Sequence, residues 1–181
     1  YVLSLFFDIA PQYKERTVKD LVERLKADKN HLKTGFIGTP YICRVLSDNG
    51  YNELAYTLLL NKGLPSWLYA VNMGATTIWE RWNSVMPDGK MNPQGMNSLN
   101  HYAYGAIAEW MYRHMAGINE TAPGFKKAVI RPQVDWRIGS TNCYLDTASG
   151  KYESLWKITK DGAILIEIST PFDTETKIIL N

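Results

Sequence analysis

The stretch SLNHYAYGAIAEWMYRHMAGINETAPG, residues 98–124, contains the point at which the hydrophobic pattern of the chain changes. From Ser98 to Met115 the apolar residues recur at helical spacing, and Asn97 or Ser98 suits an N-cap. After Gly117 the apolar and β-branched residues occur in the short runs typical of strands. We therefore expect a helical part, a boundary near Gly117–Gly124 and a β part.

Helical periodicity also extends through most of the chain before this stretch. Between Lys14 and Lys29 the apolar residues fall at i, i+3, i+4 and i+7, which predicts an amphipathic helix. Further helices are expected over Thr39–Leu46 and Glu53–Leu60, separated by the turn signal Asp48-Asn49-Gly50, and from Pro65 to Asn72. The pattern fits antiparallel helical hairpins, either in an α/α toroid or in a bundle.

The residues after Gly124 predict an antiparallel β domain. Asp161-Gly162 suits a type I′ turn and should join two of its strands as a hairpin. The candidate strands are Ala128–Arg131, Ser140–Asp146, Tyr152–Thr159, Ala163–Ser169 and Thr176–Leu180.

Composition narrows the classes of protein to which the chain could belong. The 181 residues are 45% hydrophobic and carry a net charge of +2, with the basic residues scattered rather than clustered. This argues against disorder and against a nucleic-acid partner. The apolar run Tyr1–Ala10 is too short to span a membrane and lacks the features of a signal peptide. It is typical of the end of a helix, so we expect the chain to be a fragment, and its localisation stays open.

Cysteines and histidines give no indication of a metal or a cofactor. Cys43 and Cys143 are expected to be buried free thiols, although a disulfide between them stays open. The three histidines include no i,i+4 pair, and no cysteine has a second ligand at metal spacing. We therefore predict no metal site and no cofactor.

The residues most suited to chemistry lie in Gly74–Leu99, a stretch with little periodicity that predicts a long ordered loop. Glu80 lies there between Trp79 and Trp82 and next to Arg81. Tryptophan rings stack on sugars, and a carboxylate among them could act as an acid or a base. The alternative is a solvated glutamate that pairs with Arg81 between two core tryptophans.

A second polar group, Asn100-His101, opens the predicted helix that follows the loop. Its side chains could point back toward Glu80, and His101 could donate a hydrogen bond to a sugar hydroxyl. The alternative is a capping asparagine and a histidine satisfied at a helix start. We take Glu80 as the candidate catalytic residue and Trp79, Trp82, Asn100 and His101 as candidate sugar contacts.

Several of these stretches together resemble the bacterial α-L-rhamnosidases of glycoside hydrolase family 78. The resemblance covers nearly the whole chain, and ordered stretches at family-like spacing are more specific than any single one. They are TGFIGTPY (residues 34–41), GATTIWERW (74–82), SLNHYAYG (98–105), EWMY (109–112) and APGFKKAVIRP (122–132).

The resemblance implies an (α/α)6 barrel, of which residues 1–118 would be the C-terminal portion, followed by an antiparallel β-sandwich over residues 119–181. It also implies hydrolysis of terminal α-L-rhamnose with inversion. Glu80 matches the general base of the family, and His101 matches a histidine that lines the rhamnose pocket. The general acid lies upstream in the family and has no counterpart here. Alone, the chain should therefore be inactive and should need the upstream part of its catalytic domain as a partner.

Two alternatives stay open on the sequence. One is a different hydrolase or a lyase on the same α/α scaffold, which substrate tests would distinguish. The other is a non-catalytic carbohydrate-binding module in which Trp79 and Trp82 form a stacking platform; in that case Glu80→Gln would have no catalytic effect.

Overall fold

The part of the chain before Gly117 is helical, as its periodicity predicts. A computed structural model of the chain describes residues 1–180. Its α-helices are α1 (Val2–Phe6), α2 (Lys14–Ala27), α3 (Thr39–Asp48), α4 (Asn52–Leu60), α5 (Trp67–Asn72) and α6 (Ile107–Trp110). Shorter turns of 3-10 helix lie at Pro11–Tyr13, Ala103–Ala106 and Pro123–Phe125, and a π-helical turn lies at Met111–Met115.

Helices α3 and α4 form a hairpin whose inner faces build the core of the helical region. Gly50 turns the chain between them with a φ of +84°, a value that glycine adopts readily. The Cys43 thiol lies against the Ala55 carbonyl across the hairpin, with 3.7 Å between sulfur and oxygen. The apolar stripe predicted for α2 is confirmed, since its four members are buried: Val18, Leu21, Val22 and Leu25.

Two predicted helix starts were wrong. Helix α5 begins at Trp67 rather than Pro65, because the Ser66 hydroxyl caps it by accepting the Tyr69 N–H at 3.1 Å. The helix expected from Ser98 begins only at Ala103 and consists of consecutive 3-10, α and π turns. The Asn97 amide does not cap it; it donates instead to the Ser84 carbonyl at 3.0 Å.

The β part contains two three-stranded sheets. The first has the order β1 (Ile118–Glu120), β2 (Lys127–Ile130) and β6 (Glu175–Ile178). The second has the order β3 (Ser140–Thr147), β4 (Gly150–Ile158) and β5 (Ile164–Ser169), with both pairings antiparallel. The predicted strands are therefore present, and β1 is an additional short strand that its sequence pattern did not predict.

The predicted all-antiparallel pairing was wrong at one position. Strand β2 pairs with β6 in parallel, with Ala128 opposite Thr176 and Ile130 opposite Ile178. The β3–β4–β5 meander separates these two strands in the chain, and the return connection brings β6 in along the direction of β2. Alternation of apolar residues indicates which face of a strand is buried, but it does not encode the direction of its neighbour.

The β4–β5 hairpin is confirmed, but its predicted turn type was wrong. Gly162 has a φ of +86°, whereas Asp161 is absent from the residues with positive φ. The Gly162 N–H donates to the Thr159 carbonyl at 3.0 Å, and the Thr159 N–H donates to the Ala163 carbonyl at 2.8 Å. These hydrogen bonds define a three-residue loop whose last residue is a glycine in the left-handed conformation, rather than a two-residue type I′ turn.

The two sheets share one core, which makes this part a β-sandwich. The inner face of β4 supplies three donors from fully buried residues. Tyr152 Oη donates to the Phe125 carbonyl at 2.8 Å, Ser154 Oγ to the Ala116 carbonyl at 2.7 Å, and Trp156 Nε1 to the Met115 carbonyl at 2.7 Å. The apolar residues around these bonds are Ala116, Ile118, Ala128, Ile130 and Tyr152, with Phe125, Cys143, Leu145 and Ile168 packed against them.

Gly117 is required by the close approach of two backbone segments. Its φ is +78°, and a Cβ atom there would lie 2.2 Å from the Arg131 carbonyl carbon and the Pro132 nitrogen. The Arg131 N–H also donates to the Gly117 carbonyl at 2.9 Å. Glycine is therefore the only residue that fits where β1 begins.

The chain divides into two compact units, and no disulfide links Cys43 to Cys143. The first unit is Tyr1–Ile107, and the second begins at Ala108, inside α6. The domain boundary proposed after Ile118 stays a prediction. Both cysteines are free thiols; Cys43 is buried as predicted, whereas Cys143 is only half-buried because β3 is an edge strand of its sheet. Among residues 1–180, no helix is long and apolar enough to cross a membrane.

Truncation of Trp156 should destabilise the β-sandwich strongly. The side chain is fully buried, so Trp156→Ala leaves a large cavity and an unpaired Met115 carbonyl. We expect a loss of about 3–5 kcal/mol in the free energy of unfolding, measured by urea denaturation with far-UV circular dichroism. Phe172→Ala, at a fully exposed position, is the control and should change it by less than about 0.5 kcal/mol. A loss below about 1 kcal/mol for Trp156→Ala would contradict the role of this core residue.

The two thiols should differ in reactivity. Burial raises the pKa of the Cys43 thiol strongly and that of the Cys143 thiol to a smaller extent. Because the thiolate is the reactive species, Cys43 should resist an aromatic disulfide reagent at pH 8 until the chain unfolds. Single-cysteine chains made by Cys43→Ala and Cys143→Ala separate the two rates. Equal labelling rates in the folded chains would show that Cys43 is not shielded.

Candidate active site

The loop after α5 is closed at its base by hydrogen bonds between its two ends. The Glu80 N–H donates to the Ser98 carbonyl at 2.9 Å, and the His101 N–H donates to the Ile78 carbonyl at 2.8 Å. The Thr77 hydroxyl also donates to the Leu99 carbonyl. These bonds hold residues 98–101 against residues 77–80, so that segment cannot start a helix. They also place Glu80 opposite Ser98 and His101 opposite Ile78.

Polar groups inside the loop keep its shape. Ser84 is fully buried, and its hydroxyl accepts the Arg81 N–H at 3.1 Å. The Ser84 carbonyl in turn accepts the Asn92 N–H at 2.9 Å. The Tyr69 hydroxyl donates to the Val85 carbonyl at 3.0 Å, which ties the loop to α5. The predicted long ordered loop is therefore confirmed, and its order comes from hydrogen bonds rather than from regular secondary structure.

A cavity of about 520 Å³ opens beside Glu80. No hydrogen bond or ion pair to the Glu80 carboxylate forms within residues 1–180. The neighbouring Arg81 does not pair with it, because Arg81 Nε donates to the Met96 carbonyl at 2.9 Å. The carboxylate is half-buried and free to contact a ligand or water. The cavity is lined by Phe36, Leu64, Pro65, Glu80, Arg81, Trp82, Asn83 and Tyr104.

The two tryptophans that flank Glu80 have different environments. Trp79 is only 6% exposed and belongs to the core, so little of its ring is offered to a ligand. Trp82 lines the cavity and stacks on Tyr104 with 3.8 Å between ring centroids and 13° between planes. Trp67 meets the Trp82 ring edge-on at 5.4 Å and donates its indole N–H to the Tyr104 carbonyl at 2.9 Å. The position of Trp82 is thus fixed by two further aromatic rings.

Tyr104 supports this aromatic cluster from the 3-10 turn Ala103–Ala106. Burial raises the pKa of its hydroxyl, and the nearby charge of Arg81 acts in the opposite direction. A raised pKa keeps the phenol neutral, so Tyr104 can serve the cavity as an aromatic wall and as a hydrogen-bonding hydroxyl.

The imidazole of His101 has one ring nitrogen occupied. Nδ1 lies 3.2 Å from the Ala103 N–H and accepts its hydrogen bond, which selects the tautomer with the proton on Nε2. The ring stacks on Phe36 at 4.8 Å and on Tyr102 at 5.1 Å between centroids. His101 is half-buried and does not line the cavity beside Glu80. Phe36, however, stacks on His101 and also lines that cavity. Asn100 is exposed and does not line the cavity either; its N–H donates to Ser98 Oγ at 3.1 Å.

Of the predicted site residues, the structure thus places Glu80 and Trp82 on one cavity wall. Reasoning from the residues did not identify Phe36, Leu64, Pro65 and Tyr104 as its other walls. An apolar residue that follows a glycine, as Phe36 follows Gly35, is common in loops, so this pattern alone does not mark a site. Only the fold brings Phe36 beside a loop that begins almost forty residues later.

The arrangement suits acid–base chemistry on a ligand with apolar faces. A free carboxylate can take a proton from water or give one to a leaving group, and the aromatic walls can stack on a sugar ring. Glu80 is the one carboxylate among the lining residues of this cavity. The residues that line this cavity therefore include one carboxyl group, whereas glycoside hydrolysis generally needs two.

Comparison with known proteins matches both parts of the chain. Residues 1–115 match the bacterial alpha-L-rhamnosidase 6 hairpin glycosidase domain, and residues 117–181 match the bacterial alpha-L-rhamnosidase C-terminal domain. These matches confirm the predicted fold class, a portion of an α/α barrel followed by a β-sandwich.

Two curated relatives are similar over nearly the whole chain. An alpha-L-rhamnosidase of Alteromonas sp. (strain LOR) is 42% identical over 180 residues, which are 99% of this chain and 20% of that protein. An alpha-L-rhamnosidase of Formosa agariphila is 44% identical over 179 residues, 98% of this chain and 19% of that protein. The chain thus spans about a fifth of the length of these relatives.

Two crystal structures share the fold. Streptomyces avermitilis alpha-L-rhamnosidase complexed with L-rhamnose has a TM-score of 0.93 and 37% identity, over 98% of this chain and 17% of that one. Native alpha-L-rhamnosidase from Aspergillus terreus has a TM-score of 0.92 and 30% identity, over 99% of this chain and 21% of that one. The resemblance seen in the sequence is confirmed, and the chain belongs to the bacterial α-L-rhamnosidase family.

Proposed function

We propose that this chain is part of an enzyme that hydrolyses terminal, non-reducing α-L-rhamnose from rhamnosides. The observation that carries the proposal is the free Glu80 carboxylate in the wall of an aromatic cavity. Relatives named as alpha-L-rhamnosidases support the substrate class, and one of the similar structures is a complex with L-rhamnose. The natural substrate would be a rhamnose-containing oligosaccharide or glycoside.

In this proposal Glu80 is the general base of an inverting reaction. The carboxylate takes a proton from a water molecule, and the oxygen of that water forms a bond to the anomeric carbon. The glycosidic bond breaks on the opposite face, and an acid protonates the leaving oxygen. A base must be able to reach water, and the lack of any partner for the Glu80 carboxylate within residues 1–180 meets that condition.

The general acid would come from another part of the same catalytic domain. In inverting enzymes the two carboxyl groups lie about 6.5–9.5 Å apart, with room for water between them. No second carboxylate lines the cavity described here, and the chain spans about a fifth of its relatives' length. We therefore propose that the partner of this chain is the upstream part of its own barrel, and that this chain alone does not catalyse the reaction.

Four further residues are proposed to hold the sugar or to support the site. Trp82 would stack on an apolar face of the ring, and His101 would donate its Nε2–H to a hydroxyl group. Asn100 has an exposed amide that could do the same. Trp79 stays a predicted sugar contact, but its burial favours support of the loop beneath Glu80. Burial of Trp79 also argues against the binding-module alternative, which needs both rings as a platform.

Removal of the Glu80 charge should abolish most activity. In the full-length protein, Glu80→Gln should lower kcat for an aryl α-L-rhamnoside by about 10²–10⁴-fold, because the amide cannot accept the proton of water. Release of the aryl group measures the rate, and proton NMR of the first sugar product shows whether the anomeric configuration inverts.

The matched control is Glu23→Gln, at an exposed position on α2 outside the cavity, which should keep the wild-type rate. Circular dichroism checks that each variant is folded. A folded Glu80→Gln enzyme that keeps most of its rate would remove Glu80 from the mechanism. Wild-type enzyme that leaves rhamnosides intact would instead overturn the substrate class and favour another α/α hydrolase or lyase.

A further inference from the structure

Phe36 connects the cavity beside Glu80 to the imidazole of His101. Its ring stacks on His101 with 4.8 Å between centroids and 17° between planes. The same ring meets Tyr104 at 5.2 Å and lines the cavity. It is 41% exposed, so the ring is covered on part of its surface only.

The backbone around Phe36 is fixed to the start of α3. The Thr39 N–H donates to the Gly35 carbonyl at 3.0 Å, and the hydroxyls of Thr34 and Thr39 lie 2.8 Å apart. Thr39 is almost fully buried. The backbone of the turn that carries Phe36 is therefore held on both sides, which limits the positions that its ring can take.

Two aromatic rings stack on His101, those of Phe36 and Tyr102, and Tyr102 is 85% exposed, so Phe36 is the neighbour that the fold holds in place. The hydrogen bond from the Ala103 N–H fixes the position of Nδ1, but a single bond leaves the ring plane free to tilt about it. A parallel aromatic ring removes that freedom, because tilting would cost the stacking contact. Once Nδ1 and the ring plane are both fixed, the direction of the Nε2–H is fixed as well.

We propose that Phe36 is a positioning residue for His101: it sets the imidazole plane so that Nε2–H meets one hydroxyl of the bound sugar. The proposal rests on the proposed function, in which His101 contacts the sugar. It differs from a direct role of Phe36 in the cavity, since Phe36 would act on the substrate through His101 alone.

The test is a double-mutant cycle in the full-length protein. Phe36→Leu keeps apolar volume but removes the stacking ring, and it should lower kcat/KM for an aryl α-L-rhamnoside by about 3- to 10-fold. Calorimetric titration with L-rhamnose should show a similar loss of affinity. Phe36→Tyr keeps the ring and should restore both values to within about twofold of wild type.

The decisive comparison is made in the absence of the imidazole. If Phe36 acts through His101, adding Phe36→Leu to His101→Ala should change kcat/KM by less than about twofold. Ile37→Ala, at an exposed position in the same turn, is the control for loosening of the backbone and should match wild type. Thermal unfolding of every variant checks the fold.

Three results would overturn the inference. Losses from Phe36→Leu and His101→Ala that multiply would mean that Phe36 acts on the substrate directly. A Phe36→Leu enzyme with the wild-type kcat/KM would mean that the ring plane of His101 needs no support from Phe36. Inactivity of the wild-type enzyme on rhamnosides would overturn the proposed function and this inference together, and that outcome is visible before any variant is measured.

Discussion

Two backbone hydrogen bonds at the base of the loop after α5, from Glu80 to Ser98 and from His101 to Ile78, are the constraint on which the site depends. Residues 81–97 form an irregular loop, and an irregular loop has a large conformational entropy to lose on ordering. Closing its base reduces that freedom, and the buried polar bonds of Ser84 and Asn97 remove most of what remains. The carboxylate of Glu80 is therefore presented from a fixed backbone even though no helix or strand carries it.

The same constraint explains the secondary structure that follows. A helix from Ser98 would need the N–H groups of its second turn to bond within the helix. The His101 N–H is instead used by Ile78, and the helix begins only at Ala103, where the N–H reaches back to His101 Nδ1. The later helix start leaves residues 98–102 without helical hydrogen bonds, and the same arrangement orients the imidazole of His101. Residues 98–102 therefore follow the hydrogen bonds of the loop base rather than their helical propensity.

The β-sandwich depends on different interactions, namely apolar packing and buried side-chain hydrogen bonds. Its two sheets are joined by apolar packing and by the three donors on the inner face of β4, which satisfy carbonyls of Met115, Ala116 and Phe125. Buried carbonyls without partners would cost free energy, and these bonds avoid that cost while fixing β4 to the segments just before β1 and β2. In the helical unit the core of α3 and α4 is mostly apolar, and its buried hydroxyls, those of Thr39 and Ser47, are paired with Thr34 and Asn52.

The sequence by itself determined the class of each part, most helix and strand positions, the long ordered loop and the family, because these depend on periodicity and on ordered motifs within short stretches. It also singled out Glu80 and Trp82. Tertiary structure alone decided that Trp79 is buried while Trp82 lines a cavity, that β6 runs parallel to β2, and that Phe36 stacks on His101. Each of these depends on contacts between residues far apart in the chain, and local pattern carries no information about which distant segment will arrive beside a given residue.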